Sequence, residues 1–288
     1  MFRFLFPIFI ILSIVIALVN GAEVSQAEKD DILKHVQYSA SAAEPQEEKM
    51  ALKCKTCKKW DEIKNAIVEK AFFNKHFSAC NGYLAINNAD EKIILSFTPT
   101  LGAAALLSQA SDATIHWPEN VPDSLVHKGY FEGWKACINK YETRLEELKR
   151  DNPKYTVDIT GHSLGGSHAI YAAVDLRLKH PDWTITVYTS GSNRPGNKAF
   201  AKHVNSLGFN LSRLTYGRDP IPLKPSTDGF VQPDTEYYVD LQGNWKKCTA
   251  YPEGGEDPEC ITKFKEEKAG WEDHLEYPGT SKYEFTLL

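Results

Sequence analysis

The chain predicts an α/β fold, a mostly parallel central sheet flanked by helices in a single domain. Three observations carry this. An apolar, β-branched segment, Tyr155-Thr-Val-Asp-Ile-Thr160, runs into the glycine-rich corner Gly161-His162-Ser163-Leu164-Gly165-Gly166 and then into a helical apolar face made of Ala169, Ile170, Ala172, Ala173, Val174 and Leu176. Strand-like segments at 155–160, 184–190 and 212–216 alternate with helical ones, as parallel pairing requires. Tyr83 to Asn87 and Lys92 to Phe97 read as a hairpin around Asn88-Ala-Asp-Glu91.

Along the chain, Met1 to Ala22 reads as a secretory leader: Arg3, an apolar run from Phe4 to Val19, then the small residues Gly21 and Ala22. Residues 23–52 are charged and carry Ser-Ala-Ser-Ala-Ala-Glu-Pro. This composition suggests a propeptide or flexible arm rather than core. Residues 53–288 are ample for one catalytic domain. Within it, Trp134, Cys137, Ile138, Tyr141, Leu145 and Leu148 recur at helical spacing up to Asn152-Pro153. The formal charge of −5 offers no basic face to nucleic acid, and no phosphate-binding glycine loop appears elsewhere in the chain. The six cysteines, with a secretory leader, favour disulfides over zinc or thiol redox chemistry. Cys54-Lys-Thr-Cys57 can close a local bridge. Asn210-Leu-Ser212 is a glycosylation sequon.

A serine on a tight strand-to-helix corner is held in a strained backbone and needs small neighbours, which Gly161 and Gly165 supply. Ser163 is therefore the candidate nucleophile. A hydroxyl needs a histidine base, and the base needs a carboxylate to orient it. Of the nine histidines, His180, His203 and His274 follow the nucleophile beyond its own helix, on which His168 lies. His180 reads as a helix end beside Pro181 and His203 as part of a surface helix, so His274 is the preferred base. Asp219, where a strand breaks into a proline-rich loop, is the preferred acid, because loops after parallel strands carry catalytic side chains. Its rivals are Asp228, Asp234, Asp240 and Asp273. Asp240 reads as an edge position, and Asp273 adjoins His274 in a way that seldom lets two side chains face each other.

These blocks resemble the fungal class 3 lipase family, secreted α/β-hydrolases that include triacylglycerol lipases and feruloyl esterases. The resemblance runs from about Cys54 to about Tyr277. It implies an α/β-hydrolase fold, Ser163, Asp219 and His274 as the triad, and the Leu164 amide as one oxyanion donor. Thr189-Ser-Gly-Ser-Asn-Arg-Pro-Gly-Asn197 is similar to the family's strand-end segment, and Cys248 with Cys260 to a family loop bridge; with that bridge and a local Cys54–Cys57 bridge, the resemblance leaves Cys80 with Cys137. Thr100 corresponds to the second oxyanion donor, although Thr98 and Pro99 stand where the family has Arg and Gly. The apolar stretch 101–110 occupies the place of the family's lid helix, with a plain buried helical turn as the alternative. His127 lies in a segment similar to one near the family's site and is read as structural.

The expected protein is a secreted, extracellular monomer that hydrolyses acylglycerol esters at a lipid–water interface through an acyl-enzyme. No cofactor, metal, nucleic acid or lasting membrane span is expected. The alternatives are a feruloyl or other soluble-ester esterase of the same family, and a catalytically silent lipid- or surface-binding protein.

Overall fold

The computed structural model describes residues 23–43, 63, 65–72, 80–99, 113–227, 229–264 and 270–280. The leader at 1–22, Cys54 and Cys57, Thr100, the 101–110 stretch and Asp228 lie outside the described residues.

The elements, in chain order, begin with helix α1 (Gln26–Ala42), strands β1 (Ile67–Phe72), β2 (Gly82–Asn87), β3 (Lys92–Phe97), β4 (Thr114–His116) and β5 (Leu125–His127), and helices α2 (Lys128–Lys135) and α3 (Ile138–Asp151). They continue with β6 (Thr156–His162), α4 (Leu164–Lys179), β7 (Ile185–Ser190), β8 (Gly196–Asn197), α5 (Lys198–Ser206), β9 (Asn210–Tyr216), β10 (Phe230–Val231), β11 (Glu236–Val239) and β12 (Trp245–Lys247). A 3₁₀ turn, Trp271–His274, follows.

Eight strands form one sheet in the order β1-β2-β3-β6-β7-β9-β11-β12. Its centre, β3 through β11, is parallel, and antiparallel pairs close both edges. The β2–β3 hairpin and the three parallel strands stand where the sequence places them. A second sheet, β10-β8-β5-β4, lies beside it.

The two faces of the main sheet feed separate cores, because successive strand residues point to opposite sides. On β3, Ile93, Leu95 and Phe97 pack with Trp134, Tyr141, Ile170 and Tyr171 from the helices. Ile94 instead packs with Tyr83, Tyr188 and α1 residues Ile32 and Val36. A strand buried on both faces reads as a continuous apolar run, as Lys92-Ile-Ile-Leu-Ser-Phe97 does.

Two expectations need correction. The helix spanning 134–148 is two helices, broken at Ala136 and Cys137; Cys137 flanks the break and is bridged to Cys80. The second bridge, Cys248–Cys260, is also formed. More consequentially, residues 26–42 are not a flexible arm. They form a helix opened by a Ser25/Glu28 capping box, with every residue from His35 to Ala42 buried against the sheet. The Ser-Ala-rich composition that reads as a linker is what lets the helix approach so closely. Its hydroxyls find partners there: Ser39 Oγ meets Thr160 Oγ1 at 2.7 Å, and Ser41 Oγ meets Tyr83 Oη at 2.7 Å. Among the described residues, no helix is long and apolar enough to cross a membrane.

Candidate active site

Strand β6 ends at His162 and α4 begins at Leu164, so Ser163 is the corner itself. Its backbone sits at φ +56°, ψ −127°, a region that residues other than glycine occupy only when their surroundings force it. The flanking glycines are steric requirements. A Cβ on Gly161 would stand 2.1 Å from the Gly165 carbonyl oxygen, and one on Gly165 would stand 2.5 Å from that of Thr98. The Ser163 amide donates to the Ser190 carbonyl at 2.9 Å, tying the corner to the end of β7.

Strand β9 ends at Tyr216, and Gly217, at φ +53°, turns the chain toward Asp219. The Trp271–His274 turn brings His274 in from the far end of the chain. His274 Nε2 lies 2.9 Å from Ser163 Oγ, and its Nδ1 lies 2.9 Å from Asp219 Oδ2. All three side chains are buried: Ser163 is 6% exposed, His274 8% and Asp219 0%. The sequence candidates Ser163, His274 and Asp219 thus meet in one chain of hydrogen bonds. With Nδ1–H donating to the carboxylate, Nε2 is left to accept the serine proton.

Sequence reasoning missed three contributors to this chain. Tyr277 donates its hydroxyl to Asp219 Oδ2 at 2.6 Å, and burial followed by the Asp219 charge pushes its pKa well above the ordinary phenol value, keeping it a donor. The Ile221 amide donates to Asp219 Oδ1 at 2.8 Å, so both carboxylate oxygens are held. His162 stacks on the His274 ring with centroids 4.6 Å apart. Burial lowers the His162 pKa well below the usual histidine value, so it presents a neutral ring. Position gave one signal for Tyr277, three residues beyond His274 and just past the turn that carries it. Gly191 makes the crowding possible, since a Cβ there would stand 2.8 Å from Asp219 Oδ2.

The rivals lie elsewhere. Asp273 accepts from the Arg218 amide at 2.7 Å, which clamps the His274 turn to the Asp219 loop. Asp234 hydrogen-bonds Asn205, and Asp240 caps the turn to Asn244. His180 ends α4 near Glu146, His203 lies on α5, and His168 is buried against Phe97. His127 has the structural role expected of it: it caps α2 by accepting from the Tyr130 amide at 3.2 Å. In the strand-end segment, Arg194 grips Glu256 through two nitrogens, at 2.9 and 2.6 Å, and donates to the Leu223 carbonyl. It thereby fixes the loop that follows Asp219. The Leu164 amide opens α4 directly after Ser163, where a helix N-terminus offers donors to a developing anion. Thr100 lies outside the described residues.

The family model for lipase (class 3) matches residues 94–229, a span that contains Ser163 and Asp219 and stops short of His274. Over 234 residues the chain is 30% identical to the secreted mono- and diacylglycerol lipase A of Penicillium cyclopium, covering 78% of this chain and 75% of that one. The chain belongs to the class 3 lipase family. Another member of the family, a lipase of Rhizopus niveus, is 29% identical over 231 residues, 78% of this chain. The chain spans 56% of the length of that relative. The crystal structure of a lipase from Rhizopus microsporus var. chinensis superimposes with a TM-score of 0.81 at 23% identity, covering 92% of this chain and 91% of that one. The class 3 lipase fold, an α/β-hydrolase sheet with helices on both faces, is therefore the fold of this protein.

Proposed function

We propose that this protein is a serine carboxyl-ester hydrolase acting on acylglycerols through an acyl-enzyme. The observation that carries the proposal is the unbroken relay Ser163 Oγ to His274 Nε2 and His274 Nδ1 to Asp219, both at 2.9 Å. Ser163 attacks the ester carbonyl carbon as His274 takes its proton. His274 returns that proton to the departing alcohol, and the acyl group stays on Ser163. Water, deprotonated by the same histidine, then releases the carboxylic acid. Asp219, anchored by Tyr277 and the Ile221 amide, stabilises the imidazolium that forms in each half-reaction. The Leu164 amide and, by family resemblance, Thr100 receive the oxyanion.

The acylglycerol class is supported by the names of the relatives, a lipase and a secreted mono- and diacylglycerol lipase. Cleavage of a leader after Ala22 and an extracellular location are supported by the two disulfides and the secreted relative. The packing of α1 against the sheet supports its retention in the mature chain.

The test is hydrolysis of short- and long-chain esters taken through their solubility limits, with Ser163→Ala alongside. Turnover that rises when long-chain substrate forms an interface and vanishes in Ser163→Ala is the expected result. Activity confined to soluble aryl or short esters would replace the substrate assignment with an esterase, and equal turnover by wild type and Ser163→Ala would overturn the mechanism.

A further inference from the structure

Asn210-Leu-Ser212 begins β9 at the end of the sheet opposite the triad, since Ser163 and Asp219 follow the other ends of the parallel strands β6 and β9. Asn210 is exposed, Leu211 turns inward, and Ser212 returns to the side of Asn210, so acceptor and hydroxyl stand on one face. Both line a cavity of about 480 Å³ between the first turns of α1 and the starts of β7, β9 and β11. Its wall is largely polar, carrying Thr186, Ser212 and Asp234 for sugar hydroxyls, with the aromatic residues Phe209 and Tyr237 among its lining. A volume of this size falls within the range of small-molecule sites.

We propose that Asn210 carries an N-linked glycan whose first sugar sits in this cavity. The modification requires passage through the secretory pathway, so it depends on the leader and not on the hydrolase assignment. In the transfer, the Asn210 side-chain nitrogen forms a bond to C1 of the first sugar of a lipid-linked oligosaccharide donor. The bond from C1 to the lipid diphosphate breaks, the diphosphate leaves with the electron pair, and the amide gives up one proton. The glycan then stands beside α1, far along the sheet from Ser163, where it leaves ester access open.

The test is expression of the full chain in a eukaryotic secretory host and peptide mass analysis of protein recovered from the medium, after peptide-N-glycosidase treatment in heavy-oxygen water. The expected result is conversion of residue 210 to an aspartate bearing the heavy oxygen. Asn210→Gln and, independently, Ser212→Ala should each abolish the enzyme-sensitive gel shift and leave ester hydrolysis unchanged. Glycan release from the native protein should be slower than from the denatured protein if the first sugar is seated. Unmodified Asn210 in the secreted protein, or a chain found only in the cytosol, overturns the proposal; equal release from native and denatured protein overturns the seating.

Discussion

Two buried histidine–carboxylate pairs sit on the same sheet with nearly the same geometry and opposite uses. At the end of β9, His274 meets Asp219 at 2.9 Å; on β6, His35 of α1 meets Asp158 at 3.0 Å, with both side chains fully buried. The difference lies in what the other ring nitrogen faces. His274 Nε2 faces the Ser163 hydroxyl, which has a proton to give, whereas His35 Nδ1 lies 2.7 Å from the Asp31 carbonyl, which has none. The second pair is also buttressed: Lys92 reaches Asp158 at 2.6 Å, Tyr188 donates to Asp31, and the His35 ring stacks on Tyr188 at 3.6 Å. Burial alone would raise the Asp158 pKa, but His35 and Lys92 hold it below the usual carboxylate value. A histidine–aspartate pair is therefore no catalytic signal on its own. In the proposed mechanism the first pair moves a proton, whereas the second clamps α1 to the sheet.

The comparison breaks most visibly at the relay. Ser163→Ala and His274→Ala should each lower kcat by a factor on the order of 10⁴ or more with little change in unfolding midpoint, as steady-state kinetics beside urea titration will show. Asp158→Asn should do the reverse. It leaves Lys92 and His35 without their anion, and removing one partner of a buried ion pair costs about 3–5 kcal/mol of stability, while turnover per folded molecule is kept. The same pair supplies a pH dependence. Because the folded Asp158 pKa is lowered from the ordinary aspartate value of 3.8, the stability it contributes is fully present above pH 3.8 and is lost as pH falls through the folded value.

Buried histidines outside both pairs sharpen the contrast on the acid side. Burial lowers the His168 pKa from 6.5 to about 3, so the unfolded chain takes up a proton that the folded chain refuses. Its contribution to stability is complete above pH 6.5 and falls by about 1.4 kcal/mol per pH unit between 6.5 and 3. His168→Phe should flatten that part of the stability profile measured by urea unfolding at stepped pH. The smallest expected effect is that of Tyr277→Phe. Losing one hydrogen bond to the Asp219 carboxylate should cost about 1.5–3 kcal/mol of its anchoring. It should appear as a reduced kcat, far milder than that of Ser163→Ala.

Much of this site is legible in the linear chain because its decisive features are local. A glycine two residues either side of a serine, between an apolar strand and a helical face, states its own geometry, and the crowding at Gly161 and Gly165, where an added Cβ would stand 2.1 and 2.5 Å from backbone oxygens, agrees with that reading. Asp219 is readable as the first carboxylate after a strand, and His274 by its place in chain order. The rest is not local. Tyr277 is one of thirteen tyrosines until its hydroxyl meets Asp219. The helix break at Cys137 follows from a partner 57 residues away. Helix α1 reads as a polar, Ser-Ala-rich arm because its partners Asp158 and Thr160 lie more than 120 residues further on.

The sequence by itself determined the five central strands β2, β3, β6, β7 and β9, the strained corner at Ser163 and the chain order of nucleophile, acid and base, since strand propensity, glycine sterics and loop position act over a few residues. Only the tertiary structure decided which of two histidine–aspartate pairs could move a proton, and whether the first described helix was appendage or core. Both depend on what stands opposite a buried polar group, and in a folded chain that neighbour is chosen by packing across the sheet, at separations that no local pattern records.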